Sequence, residues 1–486
     1  VSAERVSGRI SLLDPLTDLD LLFGTALWLL ALEATRRAVG LALMLIVITF
    51  IFYNLFGHLI DGVMSHGFIS YEHFLDQSIF TTNGIFGAPI RVAATYAFLF
   101  VSFGVFLQRA GGSAFFFNLA SAITGRSPGG AAKVAIASSA LYGTMSGSPT
   151  SDVVTTGSIT IPMMRRSGYS PVLAGAVEVA ASTGGSILPP VMGSAVFILV
   201  EFTGISYQTV VVAALIPAFL FYLALYAQVH LSALRLGLDG LDGLEASESH
   251  QARNTLRNGG VFVIPLLVIV GALAMGFTPT FAAVFGALAA IVSSLPRRET
   301  RINIRGIYEG LAETSLRMVP VMAACAAAGL VVGGISITGL AGKFSYIVLA
   351  LAGESQILTF AVAGVLCILL GMGMPTPSAY ILAAVLIADV LIVPGVEVLT
   401  AHMFLLFFSV LSAITPPVAV AAYAASSIAE ANPLAIAVAA LRLSLVLFLV
   451  PFAFVYVPGL LAQGSPGEIA IALVFALPGV LALAVA

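Results

Sequence analysis

The chain has 486 residues, of which 59% are hydrophobic and only 9% charged, with a mean hydropathy of +1.08 and a formal net charge of −3. A soluble globular chain carries about 25% charged residues, so the composition excludes an ordinary soluble domain and points to an integral membrane protein with many spans. No basic excess marks a nucleic-acid surface, and the apolar runs lack the two-residue alternation of an outer-membrane barrel, so the crossings are expected to be helices.

Val1–Asp20 is polar and acidic and reads as an interfacial or incomplete segment. The chain starts at Val1, shows no signal-peptide pattern, and its last run, Ile469–Ala486, ends without a polar anchor, so both ends are expected to be clipped. Leu21–Leu32 is apolar. The LEATRR stretch after it puts Arg36 and Arg37 at the cytoplasmic start of a crossing over Leu41–Ile60. Asp61–Pro89 is polar; His58, His66 and His73 are irregularly spaced and read as surface residues, not ligands. Ile90–Gln108 is a crossing, and Ser113–Ile123 is too short to be one. Cys325 and Cys367 sit far apart in apolar sequence and read as small core residues, with no disulfide or metal site.

The runs Ala131–Met145 and Thr150–Met164 are each about 15 residues, or about 22 Å as helix, short of the ~30 Å bilayer core. They are expected to form a hairpin that turns at Ser146–Asp152 near mid-membrane, with Arg126, Lys133, Arg165 and Arg166 at a cytoplasmic base. Val172–Phe202 is a crossing broken at Ser182–Pro190, Val210–Ala233 returns, and Arg235–Asn258 is a polar linker. Gly259–Phe277 and Phe281–Leu295 cross next, followed by a basic, cytoplasmic loop with Arg297, Arg298, Arg301 and Arg305. Ile302–Arg317 is amphipathic and expected along the interface before a crossing that reaches about Val332. A second hairpin has arms at Gln356–Met372 and Ser378–Val393. Its base carries Glu354 and Glu397, with no basic residue nearer than Lys343, which fits the opposite face. Leu399–Ile428 is a second broken crossing, and Pro433–Tyr456 and Ile469–Ala486 complete the chain.

The expected architecture is therefore an all-α polytopic membrane protein of inverted repeats, with two re-entrant hairpins and two discontinuous helices. It divides into 1–75, a first repeat over 76–258 (hairpin 131–164, broken helix 172–202), a second over 259–462 (hairpin 356–393, broken helix 399–428), and a C-terminal transmembrane segment, 463–486. Gly147, Pro149 and Thr150 recur as Gly373, Pro375 and Thr376, and Pro189–Pro190 recurs as Pro416–Pro417. A single pair of breaks reads equally as kinks in packed helices. A duplicated pair of Gly/Pro-interrupted apolar segments points to a secondary transporter's binding site.

At each tip, the carbonyls ending one helix suit a cation and the N–H groups opening the next suit an anionic group. Neutral oxygens come from Ser146, Ser148, Thr150, Ser151, Ser182, Thr183, Ser186, Thr376, Ser378, Ser412 and Thr415, and Asp152 adds a carboxylate just beyond the first tip. The expectation is one cation between each tip and its partner break, with substrate between the two tips. Of the other intramembrane charges, Glu178 reads as either a coupling residue or half of an ion pair. Asp389 lies near its hairpin base, Arg442 reads as the partner of a neighbouring acid, and His402 reads as structural.

LEATRR, GRSPGGAAK, DVVTTGSITIPMM, EVAASTGGSILPPVMG and GMGMPTPSAY resemble the fused permeases of the tripartite ATP-independent periplasmic (TRAP) transporters, TAXI type, with a DctM-like large subunit. The resemblance runs from about Leu21 to at least Tyr456. It implies an elevator-type transporter of the ion transporter superfamily in a bacterial inner membrane, with the end of a small subunit at its N-terminus. It also implies a TAXI-type periplasmic binding protein, a small carboxylate substrate and coupling to sodium, with no other cofactor. The cation positions then fall on Ser146, Gly147, Ser148, Thr150, Asp152, Ser182, Thr183, Gly184 and Ser186, and on Gly371, Gly373, Thr376, Ser412 and Thr415. The substrate positions fall on Ser148, Pro149, Thr150, Pro190, Pro375, Thr376, Pro377, Ser378 and Pro417. Similar sequences often carry asparagine where Asp152 stands, so proton coupling stays open beside sodium.

Three other classes compete. A stand-alone dicarboxylate or citrate symporter needs no binding protein, and the small-subunit segment argues against it. An intramembrane enzyme lacks a histidine or lysine base near the SGS serines. A channel fits opposed, duplicated, serine-rich breaks less well than alternating access does.

Overall fold

The computed structural model describes residues 3–238, 240, 260–296, 300–392 and 395–485. Most of the expected linker Arg235–Asn258, together with Arg297, Arg298 and the Val393 end of the second hairpin, lies outside the described residues. The described residues form helices and no strand.

In chain order the helices are α1 (Ala3–Gly8), α2 (Asp18–Ala38), α3 (Leu41–Phe56), α4 (Tyr71–Ile79) and α5 (Ala88–Arg109). Then follow α6 (Gly112–Thr124), α7 (Gly130–Ser146), α8 (Pro149–Thr155), α9 (Gly157–Arg166), α10 (Pro171–Gly185), α11 (Ala195–Thr203) and α12 (Tyr207–Leu236). The second half contains α13 (Ile264–Ala274), α14 (Pro279–Ser294), α15 (Ile304–Thr338), α16 (Leu340–Ala352), α17 (Gln356–Gly371) and α18 (Thr376–Ile392). It ends with α19 (Val398–Leu411), α20 (Val420–Ala429), α21 (Pro433–Leu443), α22 (Leu445–Tyr456) and α23 (Pro466–Val485). Five described stretches, Leu41–Leu59, Ala88–Arg109, Tyr207–Leu236, Ile304–Thr338 and Pro466–Val485, are long and apolar enough to cross a membrane, so this is a multi-pass membrane protein.

Local chemistry sets the helix starts. Ser148, Ser170, Ser206 and Ser355 each accept a hydrogen bond from a first-turn N–H of the helix they precede, and Pro149 and Pro171 occupy the first helical position, where a missing donor costs nothing. Breaks follow glycine and proline, as expected. One expectation is corrected. Ile302–Arg317 is no separate interfacial stretch, because α15 runs unbroken for 35 residues from Ile304 into the crossing. Its only proline is Pro320, and Ala, Leu, Met and Glu, good helix formers, recur along it.

The chain forms two compact units that interleave in sequence. The first comprises Val1–Thr95, Phe197–Gly204 and Arg317–Ser409. In it α2 packs on α3 and α4, and the second hairpin, α17 and α18, packs on itself and on α16. The polar segment before α2 is tied down by Arg9, whose guanidinium reaches Asp76 of α4 at 2.7 Å; Ser11 Oγ and the Leu12 N–H also donate to that carboxylate. The second unit comprises Tyr96–Val196, Ile205–Leu316 and Val410–Ala486. Here α7 lies along α10, α20 and α21 flank α10, and α23 packs on α12. Gly143 and Gly185 set the closeness of α7 and α10. A β-carbon on Gly143 would fall 2.5 Å from the Gly185 α-carbon, a distance no side chain tolerates.

Candidate functional site

Helix α7 ends because Gly147 adopts the left-handed conformation, φ 62°. There its N–H caps the Gly143 carbonyl, and Ser148 with Pro149 starts α8 at once. Thr156 keeps helical angles, so α8 and α9 run nearly end to end as the returning arm. The tip meets the break in α10 directly. Ser186 Oγ donates to the Gly147 carbonyl at 3.2 Å, and a β-carbon on Gly147 would lie 2.5 Å from the Gly193 α-carbon. The excursion through Pro189 and Pro190 is closed by the Gly193 N–H bonding the Ser186 carbonyl at 2.7 Å. Tyr207, fully buried at the start of α12, reaches back so that its hydroxyl contacts the carbonyls of Pro190 and Val191 at 2.8 and 2.6 Å.

Asp152 stands one turn into α8 and is completely buried. Its Oδ1 accepts from Ser146 Oγ, whose own oxygen accepts from the Ser148 N–H. Its Oδ2 has no hydrogen-bond partner among the described residues and faces the bare α-carbon of Gly143. Ser182, by contrast, donates to Glu178, and Thr183 donates to its own helix at the Val179 carbonyl. Gly184 packs against the Phe221 and Tyr222 rings. Thr150 is half-exposed and Pro149 buried.

The second break repeats the first. Pro189–Pro190 and Pro416–Pro417 are both cis. Two residues after each pair the chain turns left-handed, at Met192 (φ 65°) and Ala419 (φ 35°). The second excursion is closed by the Ala421 N–H on the Ala413 carbonyl, 3.1 Å. Thr415 donates to the Leu411 carbonyl. Ser412, Thr415 and Pro417 belong to the second unit, where α20 packs on α8, α9 and α10, so that unit gathers the first tip, the first break and the second break.

The second tip, with Gly371, Gly373, Pro375, Thr376, Pro377 and Ser378, belongs to the first unit. Gly373 takes the left-handed conformation, φ 75°, as Gly147 does. Ser378 is fully buried and its hydroxyl has no partner among the described residues. Within this unit α17 rests on the first part of α19 through Phe360 and Phe404, with ring centres 4.8 Å apart. Cys367 there lies against Ser409 as a free, buried thiol. His402 is buried and its Nδ1 pairs with the Tyr380 hydroxyl at 2.7 Å.

Several charges differ from their sequence reading. Lys133, expected at the hairpin base, is buried. Its ammonium bonds Ser127 Oγ at 2.9 Å and His230 Nδ1 at 3.0 Å, over the Tyr226 ring. The physical reason is its place one turn into α7, on the face against α12. Arg442 is exposed and forms no ion pair among the described residues; Asp389, read as lying near its hairpin base, is exposed, with no disagreement there. Glu178 has no ionic partner there either. It is fully buried and takes hydroxyl donors alone, from Ser139, Thr156, Thr160 and Ser182. Sequence reasoning missed Ser139, Thr156, Thr160 and Tyr207. Only the four-residue spacing of Glu178 and Ser182 was visible along the chain.

A family model described as "Tripartite ATP-independent periplasmic transporter, DctM component" matches residues 26–468. The isethionate TRAP transporter permease protein DctMQ of Oleidesulfovibrio alaskensis is 24% identical over 68% of this chain and 52% of its own length. The sialic acid TRAP transporter large permease protein SiaM of Vibrio cholerae is 28% identical over 44% of this chain and 49% of its own. The C4-dicarboxylate TRAP transporter large permease protein DctM of Pseudomonas aeruginosa is 26% identical over 46% and 54%. The chain thus spans about half the length of these curated relatives.

Proposed function

The chain belongs to the DctM family of tripartite ATP-independent periplasmic transporters, and from that premise we propose that it is the permease component of a binding-protein-dependent secondary transporter. In this reading it imports a small carboxylate across a bacterial inner membrane, driven by a sodium or proton gradient. A TAXI-type periplasmic binding protein delivers the solute, and residues 1–75 are the end of a fused small subunit. The names of two relatives, sialic acid and C4-dicarboxylate permeases, support a carboxylate cargo, and the isethionate permease, named for a sulfonate, shares with them an organic anion.

The observation that carries the proposal is Asp152. A buried carboxylate oxygen without a partner costs about 1–3 kcal/mol or more, and Asp152 Oδ2 is such an oxygen. A hard monovalent cation relieves it, because the surrounding donors are a carboxylate, hydroxyls and helix-end carbonyls, the ligand set that sodium prefers over softer metals. Ser146, Asp152, the Gly147 carbonyl and Ser186 are the residues that would hold it. The cation neutralises the buried charge, so the tip crosses the bilayer at lower electrostatic cost when loaded. That is the coupling in an elevator cycle.

Uptake by the full chain in proteoliposomes, with and without its binding protein, tests the reading. Saturable uptake that needs both the binding protein and an inward cation gradient is expected. Full uptake without the binding protein would make the chain a stand-alone symporter, and passive conductance would make it a channel.

A further inference from the structure

Glu178 lies in α10, and its four hydroxyl partners come from three segments: Ser139 from α7 at 2.7 Å, Thr156 and Thr160 from the returning arm at 2.5 and 2.6 Å, and Ser182 from α10 at 3.2 Å. The returning arm approaches closely because residue 157 is glycine. A β-carbon there would stand 3.0 Å from Glu178 Cγ. One carboxylate therefore ties both arms of the first hairpin to the broken helix.

Hydrogen counting shows what the tie reaches. Each hydroxyl has one hydrogen to give. Thr156 Oγ1 has two acceptors in reach, Glu178 Oε1 and the Asp152 carbonyl at 2.8 Å, and Thr160 Oγ1 likewise has Glu178 Oε2 and the Thr156 carbonyl at 3.1 Å, so each shares its one hydrogen between the carboxylate and the backbone of the returning arm. Thr156 thus joins the Glu178 cage to the backbone of the residue whose Oδ2 is unmatched. A carboxylate is an expensive choice for a purely mechanical tie, since a well-packed apolar cluster is often as stable or more so. An ionised carboxylate near a cation position has a use an apolar cluster lacks: it attracts the cation through a medium of low dielectric constant.

We propose that Glu178 is a positioning residue for the Asp152 cation site: through Ser139, Thr156, Thr160 and Ser182 it fixes the first tip against the broken helix, and its charge strengthens cation binding there. The inference rests on the cation reading above, and the test separates the two. Purified full chain is titrated with sodium chloride, against choline chloride, by thermal shift, and exchange of amide hydrogens over Ser146–Thr156 is followed without sodium. Thr156→Val and Glu178→Gln are expected to speed tip exchange roughly tenfold or more, in line with losing a charge-assisted hydrogen bond. They are also expected to raise the half-saturating sodium concentration by a similar factor. Thr156→Ser restores both, and Thr155→Val, whose exposed hydroxyl bonds the Ser151 carbonyl of its own helix, changes neither. Unchanged tip exchange in a folded Thr156→Val protein overturns the positioning role, as does an unchanged sodium midpoint in Glu178→Gln. A parent protein that shows no sodium shift removes the sodium reading, while tip exchange still decides whether Glu178 fixes the tip. If Glu178→Gln fails to fold, the Thr156 pair carries the test.

Discussion

Two glycines and one carboxylate decide the first tip at the scale of single residues. Gly147 is needed twice, for a left-handed φ and for the 2.5 Å that separates its would-be β-carbon from Gly193. Gly143 is needed once, for contact with Gly185. Gly143→Ala is therefore expected to lower stability by about 1–3 kcal/mol, the usual cost of overpacking a close contact; a thermal midpoint equal to the parent's would show that α7 and α10 can part at no cost. At Asp152 the asymmetry between a bonded Oδ1 and an unmatched Oδ2 makes the next prediction. Asp152→Asn keeps the shape and removes the charge, so the cation dependence of uptake is expected to shift or disappear. Full uptake with the parent's ion dependence would rule out a coupling role for this side chain.

For whole elements, the breaks were legible in the sequence because glycine and proline act locally. SGSP at Ser146–Pro149 and the Pro-Pro pairs stop helices whatever surrounds them, and the structure has each interruption where those residues stand. The Glu178 cage was not legible, since Ser139, Thr156 and Thr160 meet it only after three segments have packed. The burial of Lys133 was hidden for the same reason: which helix face a basic residue near a loop occupies shows only once the helices have packed. Tyr207 was invisible as a clamp, being an aromatic at a helix start. Tyr207→Phe leaves the Pro190 and Val191 carbonyls without their donor. It is expected to cost about 1–3 kcal/mol, read as a lower thermal midpoint and faster exchange at Val191–Val196. Outside the membrane segments, the Arg9–Asp76 tie carries a pH dependence. Burial alone would raise the Asp76 value, but hydrogen bonds from Arg9, Ser11 and the Leu12 N–H outweigh it and hold the carboxylate below its ordinary range. A depressed carboxylate contributes its stability above the unfolded value, about 3.9, and loses it as pH falls through the folded one. Protection of the segment before α2 is expected to hold from pH 7 to about 5 and to fall below about 4; protection that stays flat to pH 3 would show that the tie contributes nothing.

In the molecule as a whole, each compact unit holds one hairpin, and the charge bias along the sequence predicts that the two enter from opposite faces. Opposite entry is testable without a transport assay. A cysteine at Arg166, beside the first hairpin's base, and one at Glu354, beside the second's, are expected to react with a membrane-impermeant thiol reagent from opposite sides of sealed vesicles. Labelling of both from one side would end the inverted arrangement. Composition and the duplicated breaks were readable along the chain, and so were crossings such as Leu41–Leu59 and Tyr207–Leu236, but Pro433–Tyr456, expected as one run, is two helices parted at Ser444; the interleaving of the units was not readable, because it depends on which distant helices pack together. The central claim is that a cation held at the broken helices moves with the cargo. Solute uptake and cation movement measured together in the same vesicles, with sodium and proton gradients set independently, test it most directly. The account predicts that each solute carried inward is accompanied by sodium or protons and that Asp152→Asn uncouples the two; solute accumulation with neither ion moving would contradict it.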